Sequence, residues 1–217
     1  MDDDEVVVSY LHGAMIHAEF SQSLLFMCLG SDTPITAVIA LSSGPNLSTG
    51  RNMACQLFLT QHRSPWLFMC DTDMVFQLNT LDRLVEAADP VQRPVLGGFC
   101  LRLNLHDNPP VNPTLFRFVS GPDGGIVPVP YETYPSNAVM RVEGTGAACL
   151  LIHRSALEAV RDKTGDVAAP WFRETDSGLP GQLIGEDLTF CLRCADAGVP
   201  VHVHTGIRVG HVKTQII

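Results

Sequence analysis

Residues 66–76 read Trp-Leu-Phe-Met-Cys-Asp-Thr-Asp-Met-Val-Phe, an apolar run that passes straight into Asp71-Thr72-Asp73. The run 66–70 is short and has no polar alternation, the pattern of a strand covered on both faces. Such strands belong to open α/β sheets, which take their ligands at the carboxyl ends of the strands. Asp71 and Asp73 stand at that end, and one intervening residue in extended chain sends both carboxylates to the same side. Two converging carboxylates suit a hard divalent cation, which bridges phosphates and neutralises charge on a departing diphosphate. An Asp-x-Asp is also ordinary turn and cap chemistry, so the flanking sequence has to decide between the two uses.

Working outward, residues 6–11 form another β-branched-rich strand, 16–29 a helix and 35–41 (ITAVIAL) a second strand. Ser42-Ser43-Gly44-Pro45 breaks that strand, and Ser48 is placed to cap a helix reaching about Gln61. Downstream, Asn79 or Thr80 caps the helix TLDRLVEAA, and 95–99 is a further strand. The alternation predicts an α/β fold with a mostly parallel central sheet flanked by helices. Residues 103–136 are rich in Pro, Gly and Asn and hold one clear strand, 114–119, which predicts a loop-rich insertion near the site. Segments 139–143 and 147–153 read as strands around Gly144-Thr145-Gly146, 155–161 as a short helix and 164–182 as a flexible stretch. Leu188, Cys191, Leu192 and Ala195 recur at helical spacing, so 186–197 is an amphipathic helix with Glu186 and Asp187 at its positive N-terminus. Segments 201–204 and 207–212 close the chain as extended pieces.

A chain of 217 residues with 46% hydrophobic content can bury a core without disulfides, which predicts one domain. No apolar run approaches the roughly 18 residues of a membrane span. The opening Met1-Asp2-Asp3-Asp4-Glu5 is the reverse of a basic export signal. Seven cysteines, several inside apolar stretches (Cys28, Cys55, Cys70, Cys149), suit a reducing compartment, so the expected location is cytoplasmic, or host cytoplasm if the chain is phage-encoded. A formal charge of −9 and the lack of a Lys/Arg cluster exclude nonspecific nucleic-acid binding.

Taken together, WLFMCDTDMVF, the preceding SSGPNLSTGRNMACQLFL and the distant GEDLTFCLRCADAGVPVHVHTGIRVGHV resemble the GT-A glycosyltransferases, above all inverting, family-2-like members of short bacterial or phage type. The resemblance covers nearly the whole chain and rests on Arg51-Asn52, the Asp-x-Asp, Glu186-Asp187 and a late His211. It implies a GT-A fold, with a nucleotide-binding half at about 1–100 and an acceptor and catalytic half at about 101–217. It implies transfer of a sugar, a hexose favoured, from a nucleotide-diphosphate donor, a UDP-sugar favoured, with Mn²⁺ or Mg²⁺ as cofactor. By position, Asp73 is the most direct metal ligand, Asp71 a ligand or ribose and phosphate contact, and His211 the remote third ligand. Imidazole with carboxylates suits Mn²⁺. Lys213 would contact the diphosphate, Arg51 the donor, and Ser9 and Tyr10, with His12, the nucleotide base. Asp187 would be the base that deprotonates the acceptor hydroxyl, kept ionised by its helix N-terminus, and Glu186 would position the acceptor. Gly144, Thr145 and Gly146 would line the donor-sugar or acceptor pocket, and 178–181 would form a lid. The acceptor itself is left open among protein, lipid-linked glycan, polysaccharide and modified nucleic-acid base.

Each residue also has a plain use. His211 suits a strand end, Lys213 a solvated surface, Arg51 an exposed helix face, Glu186 and Asp187 the helix dipole, and Gly144 to Gly146 a hairpin turn. Other functions compete as well. Cys191-x-x-Cys194 followed by His202 and His204 has the spacing of a zinc-stabilised binding module. A nucleotidyltransferase or pyrophosphorylase would use a similar sheet and carboxylates, but His12-Gly13-Ala14-Met15-Ile16-His17 stands where its Gly-rich basic loop would be. A sugar-binding protein without activity would keep the same fold.

Overall fold

The computed structural model describes residues 3–44, 46–104, 109–121 and 124–213. The first part of the chain alternates as expected: Val6–His12 (β1), Ala18–Gly30 (α1), Ile35–Ser42 (β2), Leu47–Gln61 (α2), Trp66–Asp71 (β3), Met74–Val75 (β4), Thr80–Ala87 (α3) and Val95–Phe99 (β5). The middle is built of short strands: Leu101–Leu103 (β6), Val111–Pro113 (β7), Leu115–Ser120 (β8), Ile126–Pro130 (β9), Val139–Val142 (β10) and Gly144–Thr145 (β11). Cys149–His153 (β12), Arg154–Thr164 (α4), Thr175–Asp176 (β13), Leu183–Ile184 (β14), Glu186–Asp196 (α5), Val201–Arg208 (β15) and Gly210–His211 (β16) follow.

Seven strands form the central sheet in the order β10-β15-β5-β12-β3-β1-β2. β2, β1 and β3 run parallel, as do β5 and β15, while β12 lies antiparallel between the two sets and β10 is antiparallel at the edge. The unbroken apolar runs of β1 and β3 have a direct cause: alternate side chains feed two different cores. Val7, Leu67 and Met69 pack with Cys55 and Phe58 of α2 and with α4 and α5. Val6, Val8, Phe68 and Cys70 pack with Phe20 and Met27 of α1 and with Leu81 and Leu84 of α3. Among the described residues no helix is long and apolar enough to cross a membrane.

Several expectations are corrected. The cap of α2 is Asn46, whose side chain accepts from the Thr49 amide at 3.1 Å, and not Ser48. Segment 103–136 holds more strand than its composition suggests, since β8 pairs with β9 on one side and β11 on the other. β9 (IVPVP) is an edge strand, where the missing amides of Pro128 and Pro130 leave no ladder bond unmade. Gly144 to Gly146 is not a hairpin turn, because β10 pairs with β15 and β12 pairs with β3 and β5. The buried face of α5 is Phe190, Cys191 and Cys194, with Ala195 exposed, rotated from the face the apolar spacing marks. Segment 164–182 ends in a β13–β14 hairpin whose turn uses Gly178 and Gly181 at φ of 79° and 71°. The Ser177 carbonyl accepts from the Ile126 amide at 2.7 Å, tying that hairpin to β9.

One side chain fixes the wall beside α2. Asn52 donates to the Ser48 carbonyl at 2.7 Å and the Phe172 carbonyl at 2.6 Å, and accepts from the amides of Trp171 at 3.1 Å and Phe172 at 3.3 Å. Asn52→Ala would leave two buried amides without partners, and should lower unfolding free energy by about 2–4 kcal/mol. Urea unfolding measures it, and a loss under about 0.5 kcal/mol would show that the segment at 171–172 is held by other contacts.

Candidate active site

The register of β1 with β3 pairs Leu11 with Asp71, and alternation puts the Asp71 side chain on the face covered by α2. α2 comes down closely because Gly50 sits over Leu11, where a Cβ would lie 2.8 Å from the leucine side chain. The approach delivers Arg51, 2% exposed, into the sheet end. Its guanidinium donates to Asp71 Oδ1 at 2.8 Å and to Glu186 Oε1 at 2.5 Å, and lies over the Phe172 ring at 5.7 Å. Phe172 in turn stacks on Phe190 of α5 at 4.7 Å. Burial pulls the Arg51 pKa down, but Asp71, Asp187 and Glu186 outweigh it and the net shift is upward. A single buried cation therefore faces three carboxylates drawn from β3 and the start of α5.

Asp187 is the carboxylate of this group that Arg51 does not hydrogen-bond. Its Oδ1 accepts from the Leu188 amide at 3.0 Å. Gly146 and Gly185 flank it so tightly that a Cβ on either would lie 3.4 Å from Oδ2 or 3.3 Å from Oδ1. Burial lifts its pKa above the ordinary carboxylate value, Arg51 opposes this, and the neighbouring Glu186 and Asp71 charges add to the rise. Burial, and not the helix N-terminus, sets the direction of its shift.

Asp73 lies beyond the strand end in a second cluster. β16 pairs with β4, His211 opposite Met74, and the Val212 amide donates to the Asp73 carbonyl at 2.8 Å. His211 Nε2 then stands 2.8 Å from Asp73 Oδ2, and Lys213 Nζ 3.0 Å from the same oxygen. Burial pushes the Asp73 pKa up, but Lys213 and His211 outweigh it and hold the group below its usual value. Asp71 does not join this cluster. Among the described residues no three His, Cys, Asp or Glu side chains gather as a ligand group.

The donors available to a divalent ion are thus Asp73 and His211, and their chemistry fits one. His211 Nδ1 lies 2.8 Å from the Leu101 carbonyl, an acceptor only, so Nδ1 donates its proton there and Nε2 is the ring nitrogen directed at Asp73, where an ion would replace the proton that Nε2 and Oδ2 share. Metal-binding histidines are commonly oriented by such a carbonyl. A carboxylate and an imidazole suit Mn²⁺ or Mg²⁺ held weakly, with further positions left for ligand oxygens.

The other sequence candidates fall in different places. Ser9 is 1% exposed and its hydroxyl has no partner among the described residues, while Tyr10, on the opposite face, is partly exposed with its ring edge on Phe20. His12 contacts the neighbouring Gly13 carbonyl. Thr145 is buried against α5, its amide donating to Cys191 Sγ at 3.4 Å, while Gly146 stands beside Asp187. Burial pushes the Cys191 thiol up to about 12 and the Cys194 thiol well above its ordinary value, both being packed in the core. They gather no zinc-ligand group with His202 and His204. Two contributors were missed: Phe172 and the Leu101 carbonyl. Asn52 was named with Arg51 but given no role of its own, whereas a backbone acceptor leaves no trace in sequence. A groove of about 930 Å³ runs between the start of α2 and residues 167–174, lined by Ser48, Thr49, Gln56 and Arg173 and reaching Glu186.

Sheet order, flanking helices and the acidic end of β3 define a GT-A fold. No family model and no curated protein sequence matches the chain. Among solved structures, A197 from STIV superposes with a TM-score of 0.60 and 15% identity over 97% of this chain and 86% of its own. GalNAc-T7, solved with UDP, GalNAc and Mn²⁺, superposes with a TM-score of 0.60 and 11% identity over 96% of this chain. The match spans 44% of the GalNAc-T7 chain. At these identities the likeness establishes the fold.

The raised pKa of Asp187 has a stability consequence. A carboxyl whose folded pKa exceeds its unfolded value costs stability when ionised, and costs nothing below about pH 4, where both states are protonated. Asp187→Asn should therefore melt above the wild type at pH 7, with the difference closing as pH falls toward about 4. A gain that is the same at both pH values, or a loss at pH 7, would contradict the buried-charge explanation.

Proposed function

We propose that the chain is a metal-dependent glycosyltransferase that moves a sugar from a nucleotide-diphosphate donor, UDP-linked in the favoured case, to an acceptor hydroxyl with inversion. What carries the reading is Arg51 joining the end of the acidic strand, through Asp71, to the helix start that bears Glu186 and Asp187. On a GT-A fold this sets a site for a charged leaving group next to a carboxylate able to take a proton. Asp73 and His211 would hold Mn²⁺ or Mg²⁺, which when bound neutralises charge on the departing diphosphate. Lys213 would meet the diphosphate, and Tyr10, at the carboxyl end of β1, the nucleotide. In this reading residues 1–217 act as one domain, the two halves meeting at Arg51.

The two acidic residues of α5 divide their work. Glu186 is engaged by Arg51 at 2.5 Å, so its oxygen is committed to a cation and serves positioning. Asp187 has a raised pKa and a glycine-lined approach, the better match to a general base. In the transfer the acceptor oxygen bonds to the anomeric carbon, the bond from that carbon to the diphosphate oxygen breaks, and the acceptor proton goes to Asp187. Attack from the face opposite the diphosphate inverts the anomeric centre.

A panel of nucleotide-sugars with and without Mn²⁺, scored by melting shift, identifies the donor. With that donor, Asp187→Asn should keep binding while transfer falls by roughly 10² to 10⁴, and Glu186→Gln should be milder. Asp73→Ala should abolish the response of nucleotide binding to Mn²⁺. Near wild-type transfer in Asp187→Asn, or a first-formed product with retained anomeric configuration by NMR, would overturn the inverting mechanism. An unchanged metal response in Asp73→Ala would remove the metal assignment.

A further inference from the structure

The acidic strand end is already neutralised by cations of the chain itself. Asp71 is met by Arg51, and Asp73 by Lys213. These two cations differ in how firmly they are held. Arg51 has its side chain 3% exposed and bridges Asp71 to Glu186, so it is part of the framework. Lys213 has its side chain 41% exposed and reaches Asp73 Oδ2 from the segment just after β16. The pairing of β16 with β4 and the bond from the Val212 amide to the Asp73 carbonyl hold that segment beside the acidic residue. His211 and Lys213 are two residues apart, and both arrive at a single carboxylate oxygen.

A divalent ion entering this cluster alone meets an ammonium bonded to the oxygen it needs. Two cations close to one carboxylate repel, and the ion's affinity falls by whatever it costs to move the lysine. A nucleotide diphosphate changes the balance, because its oxygens offer the ammonium a partner of higher charge close by. We propose that Lys213 is a tethered counter-ion that occupies Asp73 until the diphosphate draws it away, so that divalent-ion binding is conditional on the nucleotide. This rests on the nucleotide-diphosphate reading of the site. By reciprocity the ion must raise nucleotide affinity by the factor by which the nucleotide raises ion affinity. After transfer, loss of the diphosphate returns Lys213 to Asp73 and releases the ion with the product.

The test is Mn²⁺ binding to the full chain, read from the electron paramagnetic resonance signal of free Mn²⁺, with and without UDP or GDP. Wild type, Lys213→Met and Lys213→Arg are compared, each checked for a wild-type melting profile; Lys213→Gln is the substitute if the methionine variant does not fold. Without nucleotide, Lys213→Met should bind Mn²⁺ about twofold to fivefold more tightly than wild type, the range of a partly exposed ion pair. The enhancement by nucleotide should shrink by at least that factor, and Lys213→Arg, which keeps the charge, should follow wild type. Equal nucleotide-free affinity in wild type and Lys213→Met, with a wild type that nucleotide still sensitises, would overturn the counter-ion role alone. A wild type whose Mn²⁺ affinity neither UDP nor GDP changes would remove the functional reading and this inference together.

Discussion

The Arg51 guanidinium, buried between β3 and α5, is the contact on which the rest of the site depends. Burying a cation of that size is costly unless its partners are close, and here Asp71 and Glu186 meet it directly while Asp187 adds its charge. The dependence runs both ways. Without Arg51, three carboxylates would crowd one sheet end with nothing to offset them. Without the carboxylates, the guanidinium would be stranded under α2. The contact also spans 135 residues of sequence, so it joins the early, strand-bearing part of the chain to the helix that carries the late acidic pair.

A division of roles follows from that geometry. The site has two acidic pairs, Asp71 with Asp73 and Glu186 with Asp187, and Arg51 hydrogen-bonds one member of each. The members it binds become framework. Asp73 and Asp187 remain, the first held below its usual pKa by Lys213 and His211 and the second raised by burial. Two carboxylates pushed in opposite directions suit opposite tasks, one staying charged to hold a cation and the other able to accept a proton. Asn52 and Phe172 support the arrangement from the side, by pinning the 171–172 segment and stacking it on α5.

Much of this was legible in the sequence, for identifiable reasons. β1 and β3 announced themselves because a strand feeding two cores has no polar alternation, and the Asp-x-Asp marked where β3 ends. Arg51 was legible as a residue of interest but not as a hub, since its partner Glu186 lies far along the chain and no local pattern encodes that pairing. The upward shift of Asp187 was not legible because a helix N-terminus is a local feature, whereas the burial and neighbouring charges that dominate are tertiary. β9 was hidden by two prolines that only an edge position tolerates. The face of α5 was misplaced by its apolar spacing, since the packing of Phe172 on Phe190 sets which side turns inward.

The most direct measurement is a crystal structure of the chain with UDP and Mn²⁺, using anomalous scattering to locate the manganese. The expected result is one manganese site touching Asp73, His211 and the diphosphate, with Lys213 moved from Asp73 to a phosphate oxygen and Arg51 still bridging Asp71 and Glu186. Manganese bound away from Asp73 and His211, or UDP seated in the groove between α2 and residues 167–174 with no metal between it and the acidic strand, would contradict the assignment of the donor site.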